Sequence, residues 1–350
     1  MRVRISVLLT GLMLLSSVLP PTAPAQEARR LGVNTTLRTY EQDIKSLKEL
    51  GVGAIRVPLQ WQFIKIRPGE YDWSDVDRLL KAAQTIQINV VLTIRTTFVP
   101  RKSKTRKGVI EVNPTNPKSM NMKEWAHFVE ILANRYQGQG VNYELENEVN
   151  EAASWRGTLE EYLELLKTGY DAIKKADPKA KVLPSAMGCG MTRSLQLGSG
   201  GSKAWKWHDS WLEPVLSTKK FDAVSVHDYY FPSEIVANGL TFRSYLEHIR
   251  DIMKKSGSGN LPIWITETGF VSLPADVGGR TDKGSYERQA QWLTEAYQQA
   301  FESGVERIYW SLLRDRKEPY FGSMGLADAK GDRRPAWNAL SQLGVGKEQK

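Results

Sequence analysis

A chain of 350 residues, 41% hydrophobic and 25% charged, carries enough apolar material for a large core, which excludes the disordered and collagenous classes. A formal charge of +9 identifies no partner by itself, and one cysteine, Cys189, excludes an internal disulfide and a cysteine-based zinc cluster. The first 25 residues stand apart. Arg2 and Arg4 precede an apolar run from Ile5 to Leu19, and Ala23-Pro24-Ala25 supplies the small residues of a cleavage site. The pattern predicts a secretory signal peptide over 1–25 and one mature domain over 26–350. An uncleaved anchor is the alternative, but the run is short for a span and contains Ser16 and Ser17. No later segment approaches spanning length, so no stable membrane insertion is expected after cleavage. Export without disulfides fits a secreted or periplasmic bacterial protein whose stability lies in its core.

From Leu31 onward, short β-branched runs alternate with longer helical patterns. Strands are predicted at Leu31 to Thr35, Ala54 to Leu59, Asn89 to Ile94, Asn142 to Glu146, Lys181 to Ser185, Ala223 to His227, Pro262 to Thr266 and Arg307 to Ser311. Helices are predicted at Tyr40 to Leu50, Ser74 to Gln87, Lys118 to Arg135, Phe242 to Ser256, Tyr286 to Ser303 and Pro335 to Leu343, with a further one near 204 to 216. The clearest helix carries Leu159, Tyr162, Leu163, Leu166, Tyr170 and Ile173 at helical spacing, behind a capping box of Thr158 and Glu161. Eight such alternations predict a single (β/α)8 TIM barrel. An open doubly wound sheet is the competing architecture, and against it Gly32 stands alone after the first strand, with no glycine-rich phosphate loop.

Chemistry concentrates in two places. Tyr143 to Asn150 reads Y-E-L-E-N-E-V-N, with Glu144, Glu146 and Glu148 at a two-residue spacing that puts them on one face of a regular strand. Packing like charges so densely is costly and speaks against a purely structural role. Far downstream, P-I-W-I-T-E-T-G-F (262 to 270) carries an apolar strand into a single acid, Glu267. Eight units between residues 31 and 345 are about 39 residues each, and Glu148 and Glu267 lie about three units apart. Both therefore fall at the carboxyl ends of strands, the fourth and the seventh, on the face where barrel active sites form. Two carboxyls there can divide the work of glycosidic cleavage, one as nucleophile and one as acid and then base. Two unrelated surface ion pairs are the duller alternative.

These motifs, taken together and in order, resemble those of glycoside hydrolase clan A, with families 5 and 39 the nearest in appearance. Y-E-L-E-N-E-V-N is similar to the clan's fourth strand, and W-I-T-E-T-G-F to its seventh. I-R-V-P-L-Q-W (55 to 61) with R-P-G-E-Y-D-W (67 to 73), F-D-A-V-S-V-H-D-Y-Y (221 to 230), and Y-W-S-L (309 to 312) with G-L-A-D (325 to 328) and R-P-A-W (334 to 337) resemble the second, sixth and eighth units. The resemblance implies a retaining hydrolase of β-linked oligo- or polysaccharides, with Glu148 as acid/base and Glu267 as nucleophile. It further implies that Asn147 binds the sugar 2-hydroxyl, that Arg56 and Tyr229 orient Glu267, and that Trp310 offers a face to the sugar ring. His227 joins them as a candidate substrate contact, with a satisfied strand-end histidine as the alternative. Arg56 has an alternative as well, as the neutralising partner of a buried Glu144, and Tyr229 and Trp310 as core aromatics. Glu146 stands where relatives often have Trp, and Val149 where they often have Pro.

No cofactor, metal or nucleic-acid partner is expected, since no second histidine accompanies His227 in a ligand pattern. The segment Arg101 to Lys107 (R-K-S-K-T-R-K) should lie on the catalytic face as a loop, either steering an anionic polysaccharide or simply solvated. Trp205, Trp207 and Trp211, after the glycine-rich Gly198 to Gly201, are either sugar-stacking platforms or the packed face of a short helix. A non-catalytic carbohydrate-binding barrel and a transglycosylase are the functional alternatives.

Overall fold

A computed structural model describes residues 29–96, 101–105, 108–112, 115–188, 202–230, 242–272, 283–316 and 321–345. The predicted signal segment, Cys189 and Gly198 to Gly201 lie outside them. Eight parallel strands form one sheet: β1 (Leu31–Asn34), β2 (Ala54–Gln60), β3 (Asn89–Arg95), β4 (Val141–Leu145), β5 (Val182–Pro184), β6 (Val224–Tyr230), β7 (Ile263–Phe270) and β8 (Val305–Trp310). They follow the order β6-β7-β8-β1-β2-β3-β4-β5, so the sheet rolls into a barrel whose seam lies between β5 and β6. Asp222 bridges that seam. Its backbone N–H donates to Val182 O at 2.8 Å, and its carboxylate accepts from Val182 N at 2.9 Å, substituting for a strand partner.

Among the described residues one long helix follows each strand, with an extra α-helical turn at Trp61–Ile64 after β2: α1 (Tyr40–Leu50), α2 (Ser74–Thr85), α3 (Met122–Arg135), α4 (Leu159–Ala176), α5 (Ser202–Ser217), α6 (Phe242–Lys255), α7 (Lys283–Glu302) and α8 (Pro335–Val345). The predicted (β/α)8 barrel is therefore the fold. The capping box at α4 forms as the sequence predicts, with Thr158 Oγ1 accepting from Glu161 N and Thr158 N donating to the Glu161 carboxylate. Each helix turns its apolar stripe onto the sheet, giving a continuous layer between strands and helices that includes Leu47, Leu79, Phe128, Leu165, Leu246 and Leu293.

Inside the barrel, the lower layer is apolar: Ala54, Val91, Leu183, Ala223, Trp264 and Tyr309. Gly32 on β1 completes it, because the Tyr309 ring fills the space a side chain would need. A Cβ at Gly32 would stand 2.2 Å from Tyr309 Cδ1. The isolated glycine thus serves packing rather than phosphate binding. Gly32→Ala should lower the unfolding free energy by about 1–3 kcal/mol in denaturant titrations, the usual cost of overpacking a dense core.

Two antiparallel hairpins are additions that periodicity did not reveal. Lys65–Arg67 pairs with Glu70–Tyr71 after β2, and Arg101–Thr105 pairs with Gly108–Val112 after β3. The basic stretch expected as a loop is therefore largely strand, its backbone held in register from Arg101↔Val112 to Thr105↔Gly108. Five-residue strands with charged residues at most positions of one arm carry little of the hydrophobic alternation that announces a hairpin.

Candidate active site

Above the apolar plug, the barrel interior turns polar around one residue, Glu144 on β4. Its carboxylate is fully buried and accepts four hydrogen bonds. Oε1 takes Ser225 Oγ at 2.6 Å and Thr266 Oγ1 at 3.0 Å, while Oε2 takes Arg56 Nε at 2.6 Å and Thr93 Oγ1 at 2.7 Å. A buried carboxylate is tolerable only when its lone pairs are met in this way. Arg56, from β2, extends from there in three directions. Nη1 donates to Asn34 Oδ1 at 2.9 Å and to Glu267 Oε1 at 2.6 Å, and Nη2 donates to Asn147 Oδ1 at 2.7 Å. Both sequence readings of Arg56 thus describe one side chain, which neutralises Glu144 and holds Glu267 together. Burial disfavours the guanidinium charge, but Glu144 and Glu267 more than restore it and push the pKa up.

Glu267 reaches this network through an irregularity in β7. The ladder with β6 pairs Val226 with Ile265 but His227 with Glu267, and the ladder with β8 jumps from Ile265↔Ile308 to Thr268↔Trp310. One extra residue therefore sits on β7 relative to both neighbours. Side chains in a regular strand alternate faces. Here Thr266 bonds the interior Glu144 while the next residue, Glu267, bonds Arg56. The bulge is what lets consecutive side chains point the same way and turns the acid toward the top of the barrel.

At the end of β4 the expected geometry changes. The strand stops at Leu145, and Glu146 and Glu148 both take left-handed backbone conformations, with φ of 70° and 47°. The three acids therefore do not share a face. Glu144 lies in the barrel, Glu146 is buried toward β3, and Glu148 stands at the rim with its side chain 24% exposed. Left-handed backbone in a non-glycine residue costs on the order of 1–3 kcal/mol and clusters at functional sites. Asn147 lies between the two. Because arginine only donates, the oxygen of the Asn147 amide must face Arg56, which leaves its NH2 directed away from the guanidinium.

The two remaining groups complete the site. Tyr229, on β6, donates its hydroxyl hydrogen to Glu267 Oε2 and accepts from Ser311 Oγ at 3.1 Å. His227, also on β6 and fully buried, spans both acids: Nδ1 lies 3.0 Å from Glu148 Oε1, Nε2 lies 3.1 Å from Thr266 Oγ1 and 3.8 Å from Glu267 Oε1. Thr266 Oγ1 lies 2.6 Å from Ser225 Oγ and 3.0 Å from Glu144 Oε1, and with its hydrogen given to either oxygen its lone pair faces His227, so the network assigns a proton to Nε2. Nδ1 is then the atom that exchanges a hydrogen bond with Glu148 in either direction. Burial works against an imidazolium at His227, yet the Glu267 carboxylate and the Glu148 hydrogen bond outweigh it and raise the pKa. Burial likewise works against ionised Glu267, but His227, Arg56 and the Tyr229 hydroxyl hold its carboxyl down at about 2.

One ligand atom each of Glu148, His227 and Glu267 lie within 4.8 Å of one another. Such a trio has the composition of a cation site. Both Glu267 oxygens, however, are already committed to Arg56 and Tyr229, and the adjacent guanidinium charge opposes a metal ion. What the arrangement can do is different: two carboxyls at close range, one ringed by donors and kept ionised, the other in contact with a proton-carrying imidazole.

Trp310 departs from its expected role. It ends β8 fully buried, its indole N–H donating to Met324 O at 2.7 Å and its ring packed on Trp292 with centroids 6.1 Å apart. No face of it is exposed to a sugar, because the indole serves the sheet–helix core instead. Of the three tryptophans downstream of Gly201, Trp207 and Trp211 lie on α5 in a T-shaped contact with centroids 6.2 Å apart. Trp211 packs on the core while Trp207 stays 40% exposed. Sequence reasoning missed Asn34, Thr93, Ser225 and Thr266, the neutral partners of Glu144 and Arg56. Their signal was present as polar residues at inward positions of strands, where a buried acid requires donors.

This constellation, two glutamates at the ends of β4 and β7 of a (β/α)8 barrel, is that of the clan A glycosidases. The sequence profile of the cellulase family, glycosyl hydrolase family 5, matches residues 23–315, and the chain belongs to that family. Among solved structures, a family 39 glycoside hydrolase from Bacteroides cellulosilyticus WH2 superposes with a TM-score of 0.66 at 16% identity, over 95% of this chain and 66% of its own. The exo-β-1,4-mannosidase Op5Man5 from Opitutaceae bacterium strain TAV5 gives 0.61 at 16% identity, over 90% and 58%. A variant GH5_18 protein from Streptomyces cattleya, in complex with Manβ1-4GlcNAc, gives 0.63 at 15% identity, over 92% and 81%. The chain spans just under two thirds of the length of the first, and at these identities the likeness is one of fold. No curated protein matches the chain in sequence at the level where kinship is secure.

Proposed function

We propose that this glycosidase cleaves β-linked oligo- or polysaccharides with retention of configuration, acting outside the cytoplasm as a secreted or periplasmic bacterial enzyme. The observation that carries the reading is the close approach of Glu148 and Glu267 in unlike surroundings. Retaining enzymes hold their carboxyls about 5 to 5.5 Å apart, whereas inverting ones leave about 6.5 to 9.5 Å for a water. An oxygen of each lies within 4.8 Å of the other, an approach nearer to the retaining separation than to the inverting one, and this supports retention.

In the first step Glu267 attacks the anomeric carbon, forming an ester as the glycosidic bond breaks. The proton of Glu148 goes to the departing oxygen. In the second step Glu148 takes a proton from water, whose oxygen displaces Glu267. Asn147, its amide turned by Arg56, offers its NH2 to the sugar 2-hydroxyl. Tyr229 and Arg56 keep Glu267 ionised and aimed. Trp310 has no part in these contacts.

The relatives' β-1,4-mannosidase activity and Manβ1-4GlcNAc ligand, with the cellulase name of the family, make β-1,4-linked manno- and gluco-configured oligosaccharides the first substrates to test, with a uronic-acid polymer for the basic hairpin. Proton NMR of the nascent product should show the β-anomer before mutarotation. An α-anomer would refute retention, sugar binding without turnover would return the non-catalytic barrel, and transfer to added sugar in place of water would mark a transglycosylase.

A further inference from the structure

Glu146 is the residue of the β4 motif for which the reaction has no use. It is fully buried, carries a charge, and adds a third carboxylate to a region already holding two. An apolar side chain would fill the position at lower desolvation cost. Its contacts indicate what the charge accomplishes. Oε1 accepts from Thr96 N and Thr96 Oγ1, both at 2.7 Å, at the end of β3. Oε2 accepts from Thr115 Oγ1 at 3.0 Å and lies 3.5 Å from Arg95 Nε.

Those partners lead back to Glu148. Thr115 N donates to Ser154 O at 2.7 Å, Arg156 N donates to Thr115 O at 2.8 Å, and Arg95 Nη2 donates to Ser154 O at 3.1 Å. Ser154 N in turn donates to Glu151 O, and Glu151 N to Glu148 O, both at 2.8 Å. The chain therefore leaves Glu146, passes Glu148, turns through Glu151 to Ser154, and is stitched back to the Glu146 carboxylate by Thr115 and Arg95. Glu146 and Glu148 are the two left-handed residues of this closed loop. The direction of the Glu148 side chain is set by its φ. If the loop relaxed toward ordinary negative φ, the side chain would swing from its place beside His227 and Glu267.

We propose that Glu146 is a positioning residue for the acid/base: its buried carboxylate closes the 146–156 loop and so holds Glu148 in the strained conformation that aims its proton. The role rests on the reading of Glu148 as acid/base, and it is specific to this chain's departure from the aromatic that relatives often carry there. Because it acts through Glu148, its loss must look like a weakened acid rather than a damaged fold.

The test compares kcat/KM for dinitrophenyl and methyl glycosides of the sugar that the wild-type protein hydrolyses. Dinitrophenolate leaves without protonation, whereas methanol needs the acid. Glu146→Gln should slow the methyl glycoside about 30-fold and the dinitrophenyl glycoside less than about 3-fold. Thr115→Val, which keeps the charge and removes one contact, should give the same pattern at about 5-fold, and carries the test if the Gln variant does not fold. On a Glu148→Ala background neither change should cost more than about 2-fold further, because a residue acting through Glu148 has nothing left to position. Equal slowing of both substrates, no slowing of either, or a full additional loss on the Glu148→Ala background would overturn the proposal. A wild-type protein that hydrolyses no glycoside would instead overturn the enzymatic reading, and this role with it.

Discussion

Glu267→Gln is expected to reduce turnover at least ~10⁴-fold while leaving sugar binding largely intact. An amide oxygen cannot form the glycosyl ester, so the step fails at bond formation rather than at recognition. The site can house the amide without orphaning a partner. Its oxygen meets Arg56, and its NH2 faces Tyr229, whose hydroxyl then accepts and turns its own hydrogen toward Ser311. Titration calorimetry with a substrate oligosaccharide should therefore return an affinity within about tenfold of the wild-type KM. Unimpaired hydrolysis would dismiss Glu267 as nucleophile.

The same residue makes a pH prediction. Glu267 is held at about 2, below the ordinary carboxyl value of 4.5, so its ionised form favours the folded state. That contribution is fully present above about 4.5 and is lost as pH falls toward 2. Wild-type stability should decline across that window more steeply than that of Glu267→Gln, and the acid limb of kcat/KM should lie well below 4.5. His227 runs the opposite way. Its raised pKa favours folding below its ordinary 6.5 and the effect is lost as pH rises through the folded value. Since the Glu267 charge is the chief influence raising it, the histidine should titrate lower in the variant, which NMR of the imidazole can read.

The sequence was most legible where periodicity governs and least where side chains meet across the barrel. Tyr40 to Leu50 is predicted and found at the same bounds, and the Thr158 capping box forms as its spacing requires, because both depend on neighbours three and four residues away. Glu148 and Glu267 could be placed at strand ends by counting repeat units. What counting cannot see is a change of backbone hand or an inserted residue. Regular alternation puts Glu144, Glu146 and Glu148 on one face, and left-handed turns at 146 and 148 send them to three. Regular alternation also turns Glu267 away from Thr266, and the β7 bulge turns it back. Trp310 shows the converse limit: a tryptophan at a strand end reads the same whether its ring meets a ligand or, as here, Trp292 and Met324.

Glu148→Ala is the second large effect, and its size should depend on the leaving group. Unactivated oligosaccharides should lose about 10³-fold in kcat/KM, whereas dinitrophenyl glycosides should stay within about tenfold, since a positioned acid contributes roughly 10² to 10⁴ only where protonation is needed. Turnover of the activated substrate should still be slow, because the ester on Glu267 then lacks the base that deprotonates water. Azide, a nucleophile that needs no base, fits the space left by the missing carboxylate and should restore that turnover, leaving a β-glycosyl azide as the product of a second inversion. The alternative assignment of this face, with His227 as the proton donor, predicts otherwise. Buried and bonded to Thr266 through Nε2, His227 would still protonate the leaving oxygen after Glu148 is gone, and both substrates would slow alike. The two residues share one hydrogen bond at 3.0 Å, but the Glu148 side chain is partly exposed at the rim, whereas His227 is buried with both ring nitrogens engaged, and the leaving-group dependence separates them.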